Sequence, residues 1–149
     1  MGRIIVHTHG RARERSYAKL VSIYSKRMES RGVKLVQHSE KLNHDDYVSK
    51  LLVASENSTL IILDELGESG NTEWFTNKWK KWKLSDSNIH LAIGPVDGFE
   101  KSFSIGQKTL GLGPLTLTYE MAAVVLLEQL YRASECDRVH HIIVNDIHH

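Results

Sequence analysis

Three sets of residues in this chain have types and spacings that can do chemistry. The first is a pair of glycine-bearing loops. Gly94-Pro95-Val96-Asp97-Gly98 follows an apolar run. Glycine there lets backbone approach a ligand with no side chain in the way. In Leu110-Gly-Leu-Gly-Pro-Leu-Thr-Leu117, Gly111, Gly113 and Pro114 interrupt an apolar stretch. Such a loop can offer N–H and C=O groups to a flat heterocycle while its leucines form an apolar slot. Taken alone, the first loop is equally a turn between a strand and a helix, and the second an irregular edge strand with bulges. Neither is a dinucleotide fingerprint or a phosphate loop with its lysine.

The second set is the histidines, nine in all. His7 and His9 close the first apolar run, and His140, His141, His148 and His149 lie near the end of the chain. With an unperturbed pKa near ~6.5, a histidine can act as base or anion stabiliser at working pH. The terminal histidines are equally compatible with a disordered tail. No His-Glu-x-x-His and no paired Cys or His spacing accompanies them, so no metal is expected. The third set is cationic. Arg11, Arg13, Arg15 and Lys19 follow the first apolar run and fit either RNA phosphate or a solvated helix start. Lys78, Lys80, Lys81 and Lys83 interleave with Trp79 and Trp82. Those tryptophans keep helical spacing with Phe75, which favours core or dimer packing over stacking on bases. Cys136 reads as an incidental buried thiol, and no nucleophile-elbow pattern is present.

These residues need a scaffold. A chain of 149 residues fits one domain, 1–149, large enough to bury a core. Short β-branched runs alternate with amphipathic stretches. Strands are expected at Arg3–His7, Val33–Gln37, Thr59–Leu63, Ile89–Ile93 and Lys108–Leu112. Helices are expected at Arg13–Ser30, Asp45–Ala54, Thr72–Leu84 and Thr118–Ala133, with Gly32 as a stop after the first. Strands alternating with helices make an α/β domain with a mostly parallel sheet. Ligands of such sheets bind at loops beyond the strand carboxyl ends. Here those are Asp64–Asn71, Gly94–Gly98 and Gly111–Leu117.

The formal net charge is +1. A protein that grips naked nucleic acid is usually strongly basic, so an RNA binder of this charge relies on local patches or on a structured target. One cysteine makes no internal disulfide, and a reducing compartment follows. The apolar run Ile4–Val6 is too short for a signal sequence, and no segment approaches the ~20 apolar residues of a membrane span. A cytoplasmic protein is expected.

LAIGPVDGF (Leu91–Phe99), LGPLTL (Leu112–Leu117), LLEQLYRA (Leu126–Ala133) and, upstream, LIILDELGE (Leu60–Glu68) stand in a distinctive order. Together with Tyr24-Ser-Lys-Arg27 on the first helix, they resemble the RlmH-type large-subunit ribosomal RNA methyltransferases of the SPOUT superfamily. The resemblance spans essentially the whole chain. It implies a SPOUT-type sheet flanked by helices with a C-terminal trefoil knot, and S-adenosyl-L-methionine (SAM) as cofactor. Carried over by motif, the cofactor contacts are Leu63, Gly94, Leu112, Gly113, Pro114, Leu115, Thr116 and Leu117. In that picture, tryptophan at Gly113 fills the slot.

The family works as a homodimer on large-subunit rRNA in an assembled ribosome or subunit, methylating N3 of a pseudouridine. Its C-terminus, Asn-His-Pro-Tyr-His, reaches the site. The matching end here puts His149 and His148 in catalytic positions. Arg132, in Tyr-Arg-Ala, is a third catalytic candidate, or an exposed helix arginine paired with Glu128. Arg11, Arg13 and Arg15 are the RNA-binding candidates.

The chain departs from the family pattern at three places. Gly94-Pro95-Val96-Asp97-Gly98 replaces Gly-Gly-Pro-Glu-Gly. The Pro-His and later Arg that follow Leu-Thr-Leu are here Thr118, Tyr119 and Ala123. The tail Ser134–His149 is longer and lacks the Tyr. The lost His and Arg motivate a second expectation, a SPOUT-fold protein that binds RNA or ribosome without transferring methyl groups. A third, from another class, is a doubly wound small-ligand module for which LLEQLYRA is coincidence.

Overall fold

A computed structural model describes residues 2–148, with side chains described as far as Val139. Five strands form one sheet: β1 (Ile4–His9), β2 (Val33–His38), β3 (Thr59–Leu63), β4 (Ile89–Ala92) and β5 (Lys108–Leu110). Their order is β2-β1-β4-β3-β5, and every neighbouring pair is parallel. Ile4 lies beside both Val33 and Ile89, and Ile89 in turn beside Thr59. Because all strands run the same way, all five carboxyl ends emerge at one edge.

Helices cover both faces: α1 (Arg15–Glu29), α2 (His44–Ala54), α3 (Thr72–Leu84), the short α4 (Lys101–Ser104) and α5 (Tyr119–His148). Alternate residues of a strand face opposite sides. Ile4, Val6, Ile61 and Leu91 accordingly join Val21, Phe75, Trp79, Trp82 and Leu127 in the larger core, between the sheet and α1, α3 and α5. Ile62 and Ala92 face the other way and pack with Tyr47 and Leu51 of α2. The tryptophan stripe is therefore core, as its spacing indicates. Trp79 Nε1 also donates to Asp137 Oδ2 of α5 at 3.3 Å. Among the described residues no helix is long and apolar enough to cross a membrane.

Side-chain caps set the helix starts. Asn43 Oδ1 accepts from Asp46 N at 2.8 Å, and Asn71 Oδ1 from Trp74 N at 2.9 Å. Thr118 Oγ1 accepts from Met121 N at 3.3 Å, so Thr118 is the cap of α5 rather than its first turn.

Besides shifts of one or two residues at element ends, four features differ from the sequence reading. The last strand ends at Leu110, because Gly111 N turns to donate to Glu68 O at 2.8 Å. The four-residue α4 is too short to leave a periodicity. The last helix does not stop at Ala133, since no glycine or proline follows to end it. Cys136 is exposed rather than buried.

Candidate functional site

The carboxyl ends of β3, β4 and β5 surround a cavity of ≈ 560 Å³. Its walls come from the loops after those strands, from α4 and from the first turn of α5. Leu63, Gly94, Leu112, Leu115, Thr116 and Leu117, all read from sequence as cofactor contacts, line it. Gly113 and Pro114 do not. Gly113 holds φ +123°, and a Cβ built on it meets nothing within 4 Å. A tryptophan there would strain the backbone, and its Cβ would start from open space rather than from the cavity lining. Sequence reasoning missed Asp64, Glu65, Phe99, Lys101, Ser104 and Ala122, which also line the cavity; Tyr119, at the family's histidine position, lines it too. Asp64 and Glu65 lay inside a loop already singled out. Nothing in the local pattern marked α4 or the inward side of α5.

Backbone contacts hold the loops together. Asp64 N donates to Leu110 O at 3.0 Å, and Gly67 N to Asp64 O at 2.9 Å. Thr116 Oγ1 donates to the Glu65 carboxylate across the cavity mouth. Gly67 and Gly111 meet back to back, and a Cβ on Gly111 would lie 2.6 Å from Gly67 O. Both atoms there are fixed by backbone, so the loops must part to admit a methyl. Gly111→Ala is expected to lose about 1–3 kcal/mol of stability in chemical denaturation. Gly106→Ala, where an added Cβ meets nothing within 4 Å, serves as its neutral control.

The charged groups of the lining are three carboxylates, Asp64, Glu65 and Asp97, against one ammonium, Lys101. The rim is apolar and open: Leu66, Val96, Ile105 and Leu115 are all more exposed than buried. A cavity with leucine walls, a carboxylate margin and many loop amides suits a flat heterocycle that carries positive charge elsewhere. It suits a phosphate poorly.

The remaining candidates lie elsewhere. Arg132 is exposed on α5, where its Nη2 and Nε donate to Glu128 Oε1 at 2.6 and 3.1 Å. That carboxylate raises the guanidinium pKa further. Arg132 does not line the cavity, and it stands ten residues, or about 15 Å of helix rise, beyond Ala122. Arg11, Arg13 and Arg15 are exposed on the loop after β1 and the start of α1, with Arg13 Nη2 3.7 Å from Glu40 Oε2. His148 as a side chain, and His149 altogether, lie outside the described residues.

Two histidine groups were not foreseen. His44, Asp45 and Glu100 cluster at the start of α2. There His44 Nε2 accepts from Glu100 N at 3.0 Å. A neutral ring must then carry its proton on Nδ1, which donates to Asp45 Oδ1 at 3.2 Å. Both ring nitrogens are thus engaged, and neither lone pair is offered to a cation.

The second group crosses three strands. His7 Nδ1 meets His38 Nε2 at 2.9 Å, and His7 Nε2 meets His90 Nδ1 at 2.8 Å. The rings are stacked. Burial first, then the neighbouring His90 and His38, drive the His7 pKa down to about 3. Burial also lowers His38 and His90.

A family model described as "Predicted SPOUT methyltransferase" matches residues 3–141. A protein of Prochlorococcus marinus (strain NATL1A) named ribosomal RNA large subunit methyltransferase H is 33% identical over 128 residues, which are 83% of each chain. One of Anaeromyxobacter sp. (strain Fw109-5) with the same name is 32% identical over 142 residues, covering 88% of this chain and 92% of that one. A probable methylase family protein of known structure from Haemophilus influenzae superposes with a TM-score of 0.52 at 13% identity. That match covers 93% of this chain and 66% of the other, and it bears on the fold alone.

Proposed function

The chain belongs to the SPOUT methyltransferase family, and from that premise we propose that it is a SAM-dependent methyltransferase of large-subunit ribosomal RNA that modifies N3 of a pseudouridine. The cavity at the carboxyl ends of β3, β4 and β5 carries this reading. Its chemistry fits the cofactor. Leu63, Leu112, Leu115 and Leu117 offer apolar walls to an adenine, and the backbone of residues 112–117 offers hydrogen-bonding edges. Asp64, Glu65 and Asp97 balance the cationic end. When bound, SAM supplies a methyl group activated by a sulfonium. The protein's share is placement, exclusion of water and management of one proton.

The attacking imide nitrogen must lose that proton, and none of the cavity's charged groups is a cation beside α5. Among the described residues, Lys101 on α4 is the only basic residue of the lining. We assign the proton and the developing anion to His148, His149 and Arg132, contributed from a second subunit. The distance of Arg132 from the cavity along α5 favours action across a homodimer, and the open apolar rim favours a partner surface there. The whole chain, 1–149, would act as one unit, and a C-terminal trefoil knot is part of the same proposal. A ribosomal substrate also makes the protein cytoplasmic and requires no metal or membrane.

One observation favours a second reading, in which the cavity binds cofactor but transfers no methyl group. Ala123, at the position where the family carries arginine, is buried in the core, so no positive charge reaches the site from there. Two measurements decide. Calorimetry with SAM is expected to show saturable binding near one site per subunit. Transfer of labelled methyl to large ribosomal subunits lacking this modification is expected to follow. Binding without transfer selects the second reading, and absence of SAM binding overturns both.

A further inference from the structure

We infer that Glu120 is a positioning residue that fixes the arginine loop after β1 against the cofactor helix, so that Arg11, Arg13 and Arg15 form a phosphate-contacting rim for RNA beside the cavity. This rests on the RNA methyltransferase reading above. One carboxylate oxygen, Glu120 Oε2, accepts from the backbone N–H of Arg13 at 2.8 Å and of Glu14 at 3.2 Å. These contacts join segments more than one hundred residues apart. Glu120 adjoins Tyr119, which lines the cavity, so the loop is pinned one residue from the cavity wall.

The sheet brings the two together. The loop leaves the carboxyl end of β1, and β1 lies next to β4, whose carboxyl end bears Gly94. In an all-parallel sheet both ends share one edge. Loop entry is fixed as well: Gly10 N donates to His38 O at 2.8 Å, and Thr8 Oγ1 to Gly10 O at 2.8 Å. With its backbone held at both ends, the loop leaves its cationic side chains outward. Arg11, Arg13 and Arg15 are exposed, with Lys19 one turn further along α1. Glu14 and Glu40 offset part of this charge, the latter through a long, open pair with Arg13.

The cavity itself is bordered by carboxylates and repels phosphate. A nucleotide entering it must have its backbone held outside, and this loop is where cations stand beside the mouth. Guanidinium groups bind phosphate bidentately, and a fixed loop loses less entropy on binding than a free one.

The test compares Glu120→Ala and Glu120→Gln with wild type for binding to purified large ribosomal subunits across a salt series, alongside SAM calorimetry. Glu120→Ala is expected to weaken subunit binding by about five- to tenfold and to flatten its salt dependence, because fewer phosphates are neutralised together. SAM affinity should not change, since Glu120 is not among the lining residues. Glu120→Gln should restore most of the binding, because its carboxamide oxygen still accepts both N–H groups. Adding Glu120→Ala to Arg11→Ala/Arg15→Ala should cost little more than the arginine changes alone, as expected when one acts through the other.

Unchanged binding and salt slope in Glu120→Ala, or full additivity with the arginine changes, overturns the inference. Wild-type protein that binds SAM but not subunits overturns the substrate reading on which it rests.

Discussion

Replacing Ala122 by tryptophan is expected to abolish SAM binding while leaving the protein folded. Ala122 lies on the first turns of α5, on the side that closes the cavity. An indole there would occupy the space between the leucines of residues 112–117 and the loop after β4. The dissociation constant should rise at least ~100-fold, about 2.7 kcal/mol. Overpacking costs roughly 1–3 kcal/mol, so the variant should still unfold cooperatively. Gly113→Trp is the informative contrast. Its Cβ starts from open space rather than from the cavity lining, and it costs stability through a positive φ. If Gly113→Trp abolished binding and Ala122→Trp did not, the cofactor would have to lie on the other side of the loop.

The second large effect is on stability against pH. Burial lowers the pKa of His7 in the folded protein to about 3, and lowers those of His38 and His90 as well. In the unfolded chain each returns to the usual value near ~6.5. Between those two values the unfolded state binds more protons than the folded one. Stability is therefore full above about pH 6.5 and falls as pH drops toward 3. His7 alone contributes a slope of about 1.4 kcal/mol per pH unit in that window, and on the order of 5 kcal/mol across it. That is a large part of the ~5–15 kcal/mol typical of a domain.

The urea midpoint should accordingly drop from pH 6.5 to pH 5, above the range in which ordinary carboxylates titrate. His7→Leu should flatten that drop by about one proton. A midpoint as flat in wild type as in His7→Leu would show that His7 is protonated in the native protein.

Periodicity made most of the fold legible. Thr59–Leu63 and Thr72–Leu84 have the bounds read from the sequence. The first is an unbroken apolar run of strand length, and the second starts at an Asn cap and carries a tryptophan stripe. The strand order was not legible, because β3 and β4 read alike whether they lie at the middle of a sheet or near its edge. The leucines of residues 112–117 were legible as an apolar slot between glycines, whereas Leu63 was marked by the family motif alone. The polar half of the lining was missed because Asp64, Glu65 and Lys101 are ordinary loop and helix residues until the chain folds around them. The histidine chain was hidden for a similar reason. His7, His38 and His90 are scattered in sequence and meet only through the register of β2, β1 and β4. The partners of Glu120, two backbone amides more than one hundred residues away, leave no trace in a sequence.

The strand order has a consequence for biosynthesis. β1 and β2 pair with each other and can join as soon as residue 38 has left the ribosome. β3 pairs only with β4 and β5, both of which come later in the chain. During translation Thr59–Leu63 therefore waits with two bare edges, an apolar segment with nothing beside it, until residue 92 is available on one side and residue 110 on the other. Such a segment is what chaperones shield and what aggregates grow from. A pause that leaves residue 63 outside the ribosome with residue 92 still inside would lengthen that exposure, so the yield of native protein should be more sensitive to such a pause than to one earlier in the message.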